Sequence, residues 1–272
     1  MLALAGAACA PLGARAQGPA PDSAVVSPYT VTANFTLISD YRFRGISQTY
    51  RGPSVQGGLD YTHSSGFYLG NWNASVASQL FTGGSGIEMD LYGGFRKSFG
   101  HLTLDVGALF YDYPNASYVS SETGNKDYDT VELYLGASWR WLALKYSRAM
   151  GDYFGLGSTL VRGGYWLNQR DGSLLPDRGG SSGTEYADLT MNAPVGEKLA
   201  WSVHVGRSRV HNYPELDYTD WKLGATYTLH GIVLGASGVG TNADKGWYYG
   251  GGSKGNRDVG AANIVFSVGR TF

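Results

Sequence analysis

Charged residues recur two apart in this sequence, and that spacing limits what they can do together. Arg42 and Arg44, Glu88 and Asp90, and Asp220 and Lys222 are each separated by a single residue. Side chains of an extended strand alternate between its two faces, so each pair projects from one face. Asp60, Arg96, Asp105, Glu132, Lys145 and Asp188 occupy the equivalent face of other alternating segments. A closed wall of such groups holds water and biases ion passage, because a low-dielectric shell focuses their field into the enclosed space. Acids slightly outnumber bases in this set, which predicts a weak preference for cations. The alternative is that the same charges pair across neighbouring strands and fill a narrow lumen. Arg42 and Arg44, near the outer end of the first strand, are either a basic ladder opposite Glu88, Asp90 and Glu132 or members of ordinary ion pairs.

Ser202 and His204 suggest a second chemistry, a hydroxyl beside a base. Barrel phospholipases of twelve strands use Ser with His on the lipid-facing surface, whereas both residues here are expected to face inward. G-x-S-x-G occurs only in glycine-rich stretches such as Gly251–Gly255, which lack the strand–turn–helix context of a nucleophile elbow. His63, His101 and His230 fall in or beside short turns, and His211 falls in a long loop. Gly250-Gly251-Gly252 lacks the strand–loop–helix context of a phosphate cradle. No spacing of His, Cys and carboxylates suggests a metal site. No catalytic residue, metal or cofactor is therefore expected, and the chain reads as a non-enzyme.

The segments that position these groups are about twelve in number: 31–46, 54–63, 67–77, 86–98, 101–112, 128–139, 141–150, 184–194, 198–209, 217–229, 231–241 and 259–272. Ile87, Met89, Leu91 and Phe95 alternate with Glu88, Asp90, Tyr92 and Arg96. Val131, Leu133, Leu135, Ala137 and Trp139 alternate with Thr130, Glu132, Tyr134 and Ser138. Segments 67–77 and 231–241 are too uniform to orient. The gaps alternate between tight and long. An all-β, closed antiparallel transmembrane barrel has this form, with short periplasmic turns and longer outer loops. An even strand count leaves both ends in the periplasm.

Aromatic residues support that orientation. Phe99, Trp139, Trp141, Trp201, Tyr227 and Phe272 fall at the expected periplasmic ends. Tyr111, Tyr113, Tyr128, Tyr186, Tyr218 and Trp247-Tyr248-Tyr249 fall at the outer ends. Two interfacial girdles are expected from them. In the last strand Ile264, Phe266, Val268 and Phe272 share a face, like the assembly signal of outer-membrane proteins, although Arg270 breaks the row.

Composition agrees with a barrel. Charged residues are 16% of the 272, and the net charge is -1, so nucleic acid is excluded as a partner. Mean hydropathy is only -0.20, and no run of about 18 apolar residues exists to form a helical span. Residues 1–16 have the character of a residual signal peptide, with Cys9, the single cysteine, inside it. Residues 17–30 form a proline-containing lead-in, and 31–272 a single barrel. Strand spacing and a tilt near 40° give a backbone diameter of roughly 24 Å, of which side chains fill about half. The segment 151–183 is long for a loop. It either folds inward as a constriction or extends outward as a hairpin, and the strand character of Thr159–Leu167 favours the hairpin.

The run Ser39-Asp40-Tyr41-Arg42-Phe43-Arg44-Gly45-Ile46-Ser47-Gln48, followed by Pro53–Tyr61 and Ser65–Trp72, resembles the opening of the TorF-type putative porin family. Gly183–Asp188, His204-Val205-Gly206 and Tyr218–Gly224 are also similar, whereas 156–183 has no counterpart. The resemblance implies a proteobacterial outer-membrane protein without an assigned substrate. The expected function is passive diffusion of small hydrophilic solutes or ions through a narrow charged lumen. Expected partners are outer-membrane lipid, lipopolysaccharide, the barrel-assembly machinery and the solutes themselves. A non-conducting surface receptor or structural barrel is the alternative, followed by a barrel lipid hydrolase. A soluble lipocalin-type barrel is the alternative fold.

Overall fold

Hydrocarbon supplies no hydrogen bonds, so a sheet immersed in it must leave no open edge. The computed structural model describes residues 27–81, 84–120, 124–164, 166–250 and 257–272, and its sheet closes. The expected signal peptide, its Cys9 and most of the lead-in lie outside the described residues. The barrel strands are β1 (Tyr29–Ile38), β2 (Ser54–His63), β3 (Phe67–Ser75), β4 (Ile87–Phe99), β5 (Leu102–Asp112), β6 (Thr130–Trp139), β7 (Leu142–Ala149), β8 (Glu185–Val195), β9 (Leu199–Arg209), β10 (Tyr218–Leu229), β11 (Ile232–Thr241) and β12 (Asn263–Thr271). Each pairs antiparallel with its sequence neighbours. β12 closes on β1, with Asn34 opposite Thr271 and Ile38 opposite Ser267. No helix among the described residues is long and apolar enough to cross a membrane.

The two-residue period sets which side faces out. Val131, Leu133 and Leu135 of β6 are exposed, while Thr130, Glu132 and Tyr134 between them are buried. Pairing also orients the two uniform strands. Phe67 and Leu69 of β3 point out and Trp72 points in, while Ile232 and Leu234 of β11 point out and Val239 points in. Phe99, Trp139, Trp141, Trp201, Tyr227 and Phe272, expected at the periplasmic ends, are all exposed.

Residues expected to form the outer girdle do not face outward. Tyr111, Tyr113, Tyr128, Tyr186, Tyr218, Trp247 and Tyr248 are buried inside the barrel mouth. Their strand parity explains the correction. Tyr111 stands out of phase with outward Leu104 and Val106 on β5, and Tyr218 out of phase with outward Trp221 and Leu223 on β10. The core of the protein is therefore an aromatic cluster within the outer half of the barrel.

Two further expectations change. β1 stops at Ile38, so Arg42 and Arg44 are not on a barrel strand. They belong to a small hairpin, Arg42–Phe43 paired with Ile46–Ser47, that drops into the mouth. The expected strand over 159–167 is replaced at its start by a short helix, Ser158–Arg162, with Leu160 and Val161 buried, while Leu167 bridges to Leu174 in a small exposed turn within the same segment.

Lower in the barrel, tyrosines lie flat against glycines of neighbouring strands. A Cβ on Gly70 would meet the Tyr92 ring, one on Gly94 the Tyr68 ring, and one on Gly107 the Tyr134 ring. The missing side chains let the rings lie against the wall. Replacing Gly107 by Val should lower barrel stability by about 1–3 kcal/mol through overpacking. Urea titration of the folded form on a gel measures this, and the same change at lipid-facing Ala137 should leave the midpoint in place.

Candidate functional site

The segment 39–53 leaves β1 and turns inward because its turn residues permit it. Arg44 and Gly45 both have positive φ, 44° and 80°, as a tight two-residue hairpin turn requires. The tip then rests on the wall at β11 and β10, where a Cβ on Gly45 would press on the side chains of Thr241 and, at 2.7 Å, Asp220. Arg44 fixes the tip. Its Nη2 donates to Glu132 Oε2 at 2.7 Å and its Nη1 to Tyr153 Oη at 2.7 Å. The guanidinium is sandwiched by Phe43 and Tyr186, with centroid distances of 4.5 and 4.1 Å. The ion pair is almost dry, at 6% and 2% side-chain exposure. A charge so placed must be matched, since removing either member leaves the other buried and uncompensated.

Arg42 plays a separate role at the hairpin base. It pairs with Asp40 at 2.7 Å and donates to the carbonyls of Gly45 and Ala261, both at 2.9 Å. Asp40 also accepts from Ser47 Oγ and Asn263 Nδ2. Other loops complete the closure. Tyr118 and Tyr128 stack at 4.0 Å, Phe154 packs on Phe43 and Tyr111, and Tyr248 on Tyr218. Arg178 forks onto both Glu215 oxygens and ties the long 151–183 segment to the loop after β9.

At the level of this plug and below it the inner wall carries charge, with Glu88, Asp90, Glu132 and Asp220 buried within the plug. Asp60, Glu88, Asp90, Arg96, Asp105, Glu132, Lys145, Asp188, Asp220 and Lys222 all lie on the inward-facing positions of their strands. Their partners differ, and Asp188 and Asp220 flank His204. Arg96 and Asp105 pair at 2.8 Å, and Glu132 is taken by Arg44. Asp60 accepts from Tyr92 Oη at 2.6 Å, and Glu88 accepts from Tyr41 Oη at 3.1 Å. Among the described residues no ion pair engages Glu88, Asp90, Lys145 or Lys222. Lys145 instead rests 4.2 Å from the Tyr134 centroid. In the twelve-strand ring β4 and β10 stand six strands apart. Glu88 and Asp90 therefore oppose Lys222 across the lumen. Arg42 and Arg44 do not form the basic ladder: they sit in the ion pairs with Asp40 and Glu132.

Ser202 makes no hydrogen bond to His204 among the described residues. The imidazole is held by Asp220 Oδ1 at 3.0 Å, Tyr186 Oη at 3.0 Å and Thr190 Oγ1 at 2.8 Å. That arrangement positions a wall residue rather than a nucleophile's base. Sequence reasoning missed Asp40 and Tyr153 because loop residues carry no period. It also missed the lumen tyrosines as a group, although Tyr92 and Tyr134 alternate in phase with the charges. Tyr68, which donates to Asp105 at 2.6 Å, sits on the strand that could not be oriented.

The model of a family described as a bacterial protein of unknown function, Gcw_chp, matches residues 22–272, and the chain belongs to that family. No curated protein matches the sequence. Among solved structures the chain is similar to the KdgM porin, with a TM-score of 0.51 at 6% identity, over 89% of this chain and 98% of that one. The NanC porin aligns with a TM-score of 0.46 at 10% identity, over 89% and 99%. At 6% identity the likeness to KdgM concerns the fold, a closed antiparallel β-barrel.

The Arg178 staple makes the mouth pH-sensitive. Its hydrogen bonds hold the Glu215 carboxyl below the usual glutamate range. A lowered folded value means that the stabilisation is complete above the unfolded value and is lost as pH falls through the folded one. Hydrogen exchange in 178–183, corrected for intrinsic rates, should stay flat from neutral pH and rise only below about pH 4. Arg178→Ala should raise it already at neutral pH.

Proposed function

We propose that this member of the Gcw_chp family is a bacterial outer-membrane porin that passes small hydrophilic solutes or ions by diffusion, and that the inserted hairpin gates it. The observation that carries this reading is the division of the wall: apolar outside, charged and tyrosine-lined inside, around a closed ring of strands. A purely structural barrel needs no opposed acids and unpaired lysines within its lumen. Those groups retain water and orient a dipolar solute between them. The TorF-type resemblance of the hairpin segment 39–48 supports the same class. In that reading the residues before the barrel are export signal and lead-in. Ile264, Phe266, Val268 and Phe272, which share the lipid face of β12, are the surface offered to the assembly machinery. Diffusion requires no bond to be made or broken, which fits the wall-bound His204.

The aromatic plug sets the conducting state. Arg44 spans from the hairpin to Glu132 on β6 and Tyr153 in the long loop, so it joins both inserted elements to the wall. Opening requires that latch to break while the strands stay paired. The rim lipids then see no change, and selectivity is left to Lys145, Lys222, Asp60 and the Glu88–Asp90 pair.

Single-channel recording in a planar bilayer tests the reading. The wild-type barrel should give brief discrete openings. Arg44→Ala should lengthen the open fraction by about tenfold or more, since a buried pair of this kind is worth a few kcal/mol. Lys145→Glu combined with Lys222→Glu should move the reversal potential in a salt gradient toward cations. Silence from both the wild type and Arg44→Ala would assign the protein to the receptor or structural class.

A further inference from the structure

Outward positions of a barrel in lipid are held apolar, because hydrocarbon neither donates nor accepts hydrogen bonds. One hydrogen-bonded row of this wall runs through Ala33, Leu59, Asn71, Leu91, Phe110 and Val131. Its ends bond to Phe272 at the periplasmic rim and Met150 at the outer rim. Asn71 is therefore at the middle of the apolar belt. Asn73, two residues on, shares its outward face and stands in the row of Phe35, Gly57 and Met89.

The two amides satisfy each other incompletely. Asn73 Nδ2 donates to Asn71 Oδ1 at 2.6 Å. Asn71 Nδ2 donates to Asn73 Oδ1 at 3.4 Å and to the Asp90 carbonyl at 3.1 Å. One N–H of Asn73 and a lone pair on each amide oxygen remain without a partner among the described residues. Beside them lies a shallow groove of about 330 Å³, bordered by Phe35, Val55, Asn73 and Ile87, with Gly57 and Gly86 as its low points.

We infer that this strip docks a second copy of the chain, about a two-fold axis along the membrane normal that passes near β3. Both copies share one orientation in the membrane, so the axis keeps depth and sets each amide near its own counterpart. An amide carries donor and acceptor together, and an identical amide completes both, whereas an acyl chain completes neither. The same axis exchanges the flanks. The β2 face of one copy, low at Gly57, meets the β4 face of the other, which carries Ile87, Met89 and Leu91. Small residues beside a polar pair allow the close approach that association within lipid relies on. The contact is isologous, so it closes at two copies.

Cross-linking and mass measurement test this on the full chain. In a Cys9→Ser background, Leu69→Cys on β3 should form a disulfide-linked dimer when vesicles are oxidised. Val203→Cys, six strands away on β9, should not. Replacing Asn71 and Asn73 together by Leu should halve the native mass in mild detergent while heat-modifiable gel mobility is unchanged. A monomeric wild type, equal cross-linking at both cysteines, or a monomer that co-purifies with a different protein or a tightly held lipid would each overturn the inference. Neither readout depends on conductance, so a silent bilayer would sink the porin reading and leave this one standing.

Discussion

Everything in this molecule follows from the inability of hydrocarbon to hydrogen-bond. Each backbone N–H and C=O in the span must find its partner in the neighbouring strand, and the ring must close. Closure is achieved where β12 meets β1, through a register of five residue pairs that is shorter than the others. Phe272 and Ala33 extend that seam by exchanging backbone bonds. Once the ring is closed, the strand period sorts every side chain into lipid or lumen with no intermediate choice.

The interior then faces the opposite problem. A ring of this size encloses more space than its wall side chains fill, and the two halves solve this differently. The outer half is packed with rings supplied by loops and by inward strand positions, and it resembles the core of a soluble domain. The inner half flattens its tyrosines onto glycines and stays polar. Arg44 sits at the boundary. Its charge is brought into a dry place by the hairpin, and Glu132 is there to meet it. Such a pair contributes little net stability over an apolar substitute, but it specifies one arrangement of the hairpin, because no other seat offers a carboxylate and two ring faces together.

Polar groups on the wrong side of the wall obey the same logic. Charged residues of the outward rows occur near the strand ends: Lys97 and Arg270 at the end near Phe272, and Asp112, Arg148, Glu185, Arg207 and Arg209 at the other. There a long side chain reaches the headgroups. Asn71 has no such escape, being short and central, and so it stands apart from every other outward residue of its row.

Much of this was legible in the residue pattern. Strand number, antiparallel order, the inward set from Asp60 to Lys222 and the periplasmic aromatic band all follow from a period of two, which is local to each strand. Even the inward turn of Tyr111 and Tyr218 was available from parity, though the position of aromatics near strand ends suggested a girdle. What the pattern could not supply was anything that depends on three dimensions at once. The hairpin at Arg42–Ser47 alternates like a strand, and only its descent into the mouth shows that Arg44 belongs with Glu132 and not with β1. Asn71 and Asn73 lie in a strand too even to orient, and their exposure to lipid was decided by the registers of β2 and β4. Periodicity fixes the face of a residue relative to its own strand, whereas a loop's destination and a uniform strand's orientation are set by neighbours distant in sequence.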